Sequence, residues 1–167
     1  MSAVRSELAP PRHEPLLRVM TVPLLDAVLA IEVQAYTFPW TRGNFIDSLA
    51  AGYLARVLLA EDGELIGYFV AMQGFEEMHL LNLTVAGRHQ GQGHARRLLA
   101  ELYALCASCS ATAVWLEVRE SNHRARALYS REGFAEAGRR RDYYPAPQGR
   151  REDALLMTRG VPRGGGA

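Results

Sequence analysis

Apolar residues recur at two different periods along this 167-residue chain, and the change from one period to the other outlines its architecture. LLRVMTV, from Leu16, reads as a strand. PLLDAVLAIEVQAY has helical spacing from Pro23 to Tyr36, with Pro23 in the first turn where its missing N–H does no harm. The aromatic break TFPW ends it, and RGNFIDSLAA predicts a second short helix. In YLARVLLAEDGELIGYFVAM two apolar runs are joined by Asp62-Gly63, a hairpin signal, and MHLLNLTV supplies a fourth strand ending at Val85. Ala95, Leu98, Leu99, Leu102, Leu105, Cys106 and Cys109 then mark the buried face of an amphipathic third helix. AVWLEVRES alternates as a strand does. Val114, Leu116 and Val118 point one way and Trp115, Glu117 and Arg119 the other, so Glu117 faces something other than the aliphatic layer. HRARALYSREGF predicts a fourth helix, capped by Ser121 or Asn122 and closed by Gly133. Strands in EAGRRRDYYP and DALLMT complete the order. The pattern is that of an α/β (α+β) domain over residues 16–161, a mixed sheet of six to seven strands flanked by about four helices, with flexible tails at 1–15 and 162–167.

Composition narrows the chemistry. The net charge of +1 provides no global field for nucleic acid or an acidic membrane. All 19 basic residues are arginine, so a Walker-type phosphate loop or a Schiff-base mechanism lacks its essential lysine. Cys106 and Cys109 lie on the buried helix face and read as core residues in preference to a redox pair, and His13, His79, His89, His94 and His123 show no metal-ligand spacing. No metal site is expected. The N-terminal stretch has no apolar run of signal-peptide length and no segment reaches the roughly 20 residues of a membrane span, so the expected location is the cytoplasm.

Residues 90–95, QGQGHA, sit at the seam between the fourth strand and the third helix. Two glycines there are costly in backbone entropy, and the free N–H groups of a helix N-terminus favour an anion. A dinucleotide fingerprint is absent, because Arg96 stands where a third glycine is required. Taken alone, the segment serves a tight turn as readily as a pyrophosphate.

The stretch from residue 80 to 134 resembles the GNAT acetyltransferase family, whose pyrophosphate loop follows Q/R-x-x-G-x-G/A; Gln90, Gly93 and Ala95 match it in turn. LEVRESN, ARALYSREGF, RRDYYP and EDALLMT are similar to the ribosomal-protein-alanine acetyltransferases of that family. Two departures are Gly87, where a proline-containing turn is usual, and Ala95 in place of the commoner glycine. The resemblance implies a single GNAT-type domain that uses acetyl-CoA, bound by Leu83, Thr84 and Val85, by Gln90, Gly91, Gln92, Gly93, His94, Ala95 and Arg96, and by Asn122. It implies a catalytic base at Glu117 and a catalytic acid at Tyr129. The implied acceptor is the α-amino group of a protein N-terminus, above all the N-terminal alanine of a small-subunit ribosomal protein, with broader protein N-termini as the alternative and neither nucleic acid nor membrane as partner.

The residue chemistry suits those roles. An α-amino group has a pKa of about 7.7–8.0, so a usable neutral fraction exists near pH 7 and a carboxylate base has a modest task. Glu117 serves better if apolar neighbours such as Trp115 raise its pKa; its plain reading is a solvated strand carboxylate. A phenol near pKa 10 can protonate a departing thiolate near 8.5, while the plain reading of Tyr129 is core packing beside Leu128. Direct attack needs no Cys or Ser nucleophile, and a backbone N–H near Val85 is expected to meet the oxyanion. Phe38 and Trp40 in TFPWTRGNF, with Tyr143 and Tyr144, are candidate acceptor contacts. Glu76 and Glu77 read as a solvated pair. A GNAT enzyme acting on a small-molecule amine would share the glycine loop but lack the RRDYYP element, and a non-catalytic acyl-CoA-binding module would dispense with Glu117 and Tyr129.

Overall fold

The computed structural model describes residues 13–162; the expected tails fall largely on residues 1–12 and 163–167, outside the described residues. Seven strands form one mixed sheet in the order β1-β2-β3-β4-β5-β7-β6, where β1 is Leu16–Val19, β2 Leu54–Leu59, β3 Leu65–Gln73, β4 Glu77–Val85, β5 Ala113–Arg119, β6 Ala135–Pro145 and β7 Arg151–Gly160. Four α-helices accompany it: α1 Leu25–Ala35, α2 Arg42–Ala50, α3 His94–Ser108 and α4 His123–Arg131. β1 is shorter than the apolar run suggests, because a 3₁₀ turn closed by Leu24 N–H on the Thr21 carbonyl takes up Val22–Leu24, with Pro23 in its first positions.

Both faces of the sheet are covered. Leu98, Leu99, Leu102 and Cys106 of α3 pack with Val114, Leu116, Val118 and Tyr129 in one cluster. Burial of each such leucine contributes roughly 1.5–3 kcal/mol. On the other face Leu25 and Val28 of α1 and Phe45 of α2 pack against Val57, Tyr68 and Val70.

Two irregularities in β4 shape the candidate site. The first is a bulge: Leu80 pairs with Ala71 and Asn82 with Val70, leaving Leu81 unpaired. The extra residue swaps the alternation. Before it, Met78 and Leu80 join the α3 side; after it, Leu83 and Val85 do so, while Asn82 and Thr84 turn to bond Glu32 and Tyr36 at α1. The second is a fork. β4 and β5 are parallel neighbours only through Glu77–His79 and Ala113–Trp115, yet each keeps its outer partner further on, β3 for β4 and β7 for β5. The sheet therefore opens between them.

Candidate active site

Two cavities meet at that fork. The larger, about 620 Å³, runs from the end of β4 over the β4–α3 loop and along α4, and its size is that of a small-molecule site. Gly91 and Gly93 adopt φ of 75° and 84°, conformations that suit glycine, and a Cβ on either would meet no heavy atom within 4 Å. The backbone is bare on the groove side. Gly93 then opens α3, whose first-turn N–H groups at His94, Ala95 and Arg96 precede the first i→i−4 bond, made by Arg97 N–H to the Gly93 carbonyl 3.1 Å away. No acidic residue occupies that turn to compete for them. The sequence-predicted loop thus has the bare backbone and free N–H groups that suit an anion at a helix N-terminus.

Of the residues expected to hold acetyl-CoA, Leu83, Thr84, Val85, Gln90, Gly91, Gly93, His94, Ala95, Arg96 and Asn122 line this groove. Gln92 does not; its amide turns back to the Arg88 carbonyl. Gln90 braces the loop by donating to the Val85 carbonyl over 3.1 Å. Thr84 gives its hydroxyl to Asn82 Oδ1 at 2.7 Å and lies 2.6 Å from the Tyr36 hydroxyl, so what it offers the groove is backbone. Asn122 caps α4 by accepting from Ala125 N–H, which leaves its Nδ2 free among the described contacts. Burial, with His89 nearby, holds the His94 imidazole below its usual pKa, so His94 itself brings little positive charge at neutral pH. Arg96 pairs with Glu132 at 2.9 Å, whereas Arg124 and Arg131, about two turns apart on α4, line the groove with no ionic partner among the described residues. The residues present fit a phosphate-bearing cosubstrate.

The smaller cavity, about 260 Å³, lies within the fork and is lined by Glu117, Tyr129, Phe38, Trp40 and Tyr144 among others. The candidate base and acid therefore face one space although they come from opposite faces of the sheet, Glu117 from the polar side of β5 and Tyr129 from the α4 layer. Tyr143 is not brought in. It stands outside the lining, exposed, packed edge-on against Tyr144 at 4.9 Å.

Glu117 departs from expectation in one respect. Burial alone would raise its pKa, but a hydrogen bond from His79 Nε2 at 2.6 Å, the charge interaction with His79 and the Arg140 guanidinium at 3.6 Å outweigh it and hold the carboxyl below the usual range. The net direction is opposite to the raised pKa that would make it a stronger base, and the neighbouring Trp115 ring stacks on His79 at 3.6 Å. Tyr129 behaves oppositely. Burial, with the nearby phenols of Tyr36, Tyr144 and Tyr103, pushes it up, so it keeps its proton at neutral pH.

Several residues at the site escaped the sequence reading. Glu32 of α1 is 1% exposed and accepts hydrogen bonds from the Tyr68 hydroxyl, from Asn82 Nδ2 at 3.2 Å and from Trp40 N–H at 3.0 Å. It pins the TFPW turn from beneath. Arg119 reaches from β5 to lie 5.4 Å from the Phe38 ring and 4.5 Å from the Tyr144 ring, while donating to the Pro145 carbonyl at 2.7 Å. One guanidinium ties both aromatic segments at the cavity mouth. Tyr36, its hydroxyl pushed up to about 12 chiefly by burial, lines both cavities.

Comparison with known proteins agrees with this geometry. The family profile described as the Acetyltransferase (GNAT) family matches residues 25–134. The ribosomal protein bS18-alanine N-acetyltransferase of Escherichia coli K12 is 38% identical over 134 residues, which are 80% of this chain and 89% of that protein. Its counterpart of the same name from Haemophilus influenzae is 37% identical over 133 residues, 80% of this chain and 90% of that one. The crystal structure of the ribosomal-protein-S18-alanine N-acetyltransferase from Escherichia coli superposes with a TM-score of 0.80 at 34% identity, covering 91% of this chain and 97% of that one. A glycine cradle at a forked sheet, a profile match over more than half of the chain and relatives of this similarity lead to one conclusion: the chain belongs to the GNAT acetyltransferase family, whose members use acetyl-CoA.

Proposed function

We propose that this protein transfers the acetyl group of acetyl-CoA to the α-amino group of an N-terminal alanine on a ribosomal protein of the bS18 kind, in the cytoplasm. The observation that carries this reading is the joint presence of Glu117 and Tyr129 in one small cavity beside the phosphate groove, in a chain 38% identical to a bS18-alanine N-acetyltransferase. Acetyl-CoA supplies the activated thioester. Its phosphates fit the first-turn N–H groups of α3, with Arg124 and Arg131 along the wall, and its acyl end fits the fork between β4 and β5. Glu117, ionised, takes a proton from the acceptor ammonium, directly or through water, and frees the amine to attack the thioester carbon. Tyr129 gives its proton to the leaving sulfur as the C–S bond breaks, the attacking nitrogen loses its second proton to water to leave the neutral amide, and the phenol is reprotonated from solvent while Glu117 releases its own proton. A backbone N–H near Val85 meets the developing oxyanion.

Charge state and size favour an α-amine over lysine. A lysine ammonium near pKa 10.4 is about 2.5 units harder to deprotonate, and a carboxylate held low is a poor base for it. The 260 Å³ cavity between Trp40, Phe38 and Tyr144 suits a small first side chain. The test is acetylation, read by mass, of a peptide beginning with alanine against its N-terminally blocked copy and a copy beginning with a large residue. The alanine peptide is expected to react and the other two to be poor. Equal modification of the blocked peptide on an internal lysine overturns the reading.

A further inference from the structure

Where β4 and β5 part, one side chain still joins them. His79 is the last residue of β4 with a partner in β5, Trp115, and beyond this pair the strands diverge. Its imidazole does not stay level with Trp115. It reaches past that residue, so that Nε2 lies 2.6 Å from Oε2 of Glu117, on the stretch of β5 that no longer pairs with β4. Both side chains are nearly buried, 12% and 8% exposed. The indole of Trp115 covers the imidazole face at 3.6 Å with only 11° between the planes, which fixes the ring as well as its reach. Glu117 needs this help. On the far side of the fork it has no backbone ladder to β4, and its other charged neighbour, Arg140 of β6, lies at 3.6 Å from Oε1 and is about half exposed.

We infer that His79 is the positioning residue for the catalytic carboxylate: by donating Nε2–H to Glu117 Oε2 across the vertex of the fork, it aims Oε1 into the acceptor cavity. The inference rests on the proposed role of Glu117 as base. The imidazole touches neither substrate nor cosubstrate in this scheme, since it lines neither cavity. It acts through Glu117. The groups that face this carboxylate are His79 from β4, Arg140 from β6 and the phenol of Tyr144, whose own titration Glu117 raises. Loss of the His79 hydrogen bond removes a major contribution holding the carboxyl down, so the pH at which Glu117 protonates rises.

The test compares His79→Leu, which has no donor, with His79→Gln, which keeps an N–H of similar reach, each in the wild-type and Glu117→Gln backgrounds, with folding checked by circular dichroism. Turnover is measured on an alanine-initiated peptide. His79→Leu is expected to lower kcat by about 10- to 100-fold and to move the acid limb of the kcat profile to higher pH, with KM for acetyl-CoA unchanged within about twofold. His79→Gln recovers most of both. In the Glu117→Gln background neither His79 change lowers kcat further, because the residue acts only through the missing carboxylate. Wild-type kcat and acid limb in a folded His79→Leu variant overturn the inference, as does an undiminished further loss in the Glu117→Gln background. Should His79→Leu misfold, His79→Asn, whose amide is too short to reach Glu117 Oε2, takes its place in the same comparison with the same two outcomes. Full turnover by Glu117→Gln itself would instead remove the base assignment on which the inference stands.

Discussion

The groove proposed for acetyl-CoA and the cavity proposed for the acceptor share the end of β4 but are built from different materials. The groove is made largely of backbone: two left-handed glycines, the N–H groups of one helix turn and the strand end at Leu83–Val85. The cavity is made of side chains drawn from α1, the loop after it, β4, β5, α4 and β6, and held by buried polar contacts such as Glu32 with Trp40 and His79 with Glu117. Backbone sites bind a constant group on any acceptor's behalf. A side-chain site can be retuned one residue at a time, and its precision depends on the contacts behind it. Damage to the groove should therefore appear in affinity for acetyl-CoA, and damage to the cavity in turnover or in peptide KM.

The sharpest break of the first half is Gly93→Trp. At φ 84° the substitution is strained, and the indole would stand in the open space over the cradle, so calorimetry should find acetyl-CoA binding lost by at least about 10²-fold while the circular dichroism spectrum is retained. Unchanged affinity would contradict the cradle. The matching break of the second half is Glu117→Gln, expected to lower kcat about 10²–10³-fold with acetyl-CoA affinity intact, and Tyr129→Phe, expected to cost about 10²-fold in kcat. The pH dependence follows from the same residue. Because Glu117 is held low, it stays ionised until the pH falls below the ordinary carboxylate range near about 4.3, so its limb in kcat lies on the acid side of that value and activity is lost as pH falls through it. A limb near neutrality that vanishes in Glu117→Gln would contradict this.

Much of the groove was legible in the sequence because its signals are local. Two glycines and a helix start lie within six residues, Asn122 and Gly133 announce the ends of α4, and a period of two put Glu117 on the face away from Val114, Leu116 and Val118. The cavity was only half legible. Phe38, Trp40 and Tyr144 stood out as loop aromatics, but the bulge at Leu81 and the fork after His79 depend on which strands pair, information absent from any short window. That is why His79 counted only as one of five histidines without ligand spacing, its partner Glu117 lying 38 residues away, and why its stacking against Trp115 was out of view. Glu32 drew no attention on α1 for the same reason, since its partners Tyr68 and Asn82 come from strands of the sheet.

Smaller effects sharpen the comparison further. Glu32→Gln keeps an acceptor for Tyr68 or Trp40 but not for all three donors, and should cost about 1–3 kcal/mol in denaturant unfolding while raising peptide KM several-fold and leaving acetyl-CoA affinity alone. An equal loss in acetyl-CoA affinity would mean that the two sites are not separable. The smallest change expected is in Arg124→Gln with Arg131→Gln, a weakening of acetyl-CoA binding by severalfold that fades as salt rises, since both guanidinium groups are exposed and screened. A salt-independent loss would place their role elsewhere.

The most direct measurement of the central claim is the rate of acetyl transfer from acetyl-CoA to the terminus of a bS18-type peptide beginning with alanine, located by fragmentation mass spectrometry and set beside the same peptide with its α-amine blocked. Acetyl on the alanine α-nitrogen, with the blocked peptide inert, is the result predicted by a small cavity, a low carboxylate and a protonated phenol at the fork. Acetyl on a lysine side chain of the blocked peptide at the same rate, or no transfer to the free terminus by a protein that binds acetyl-CoA, would contradict it.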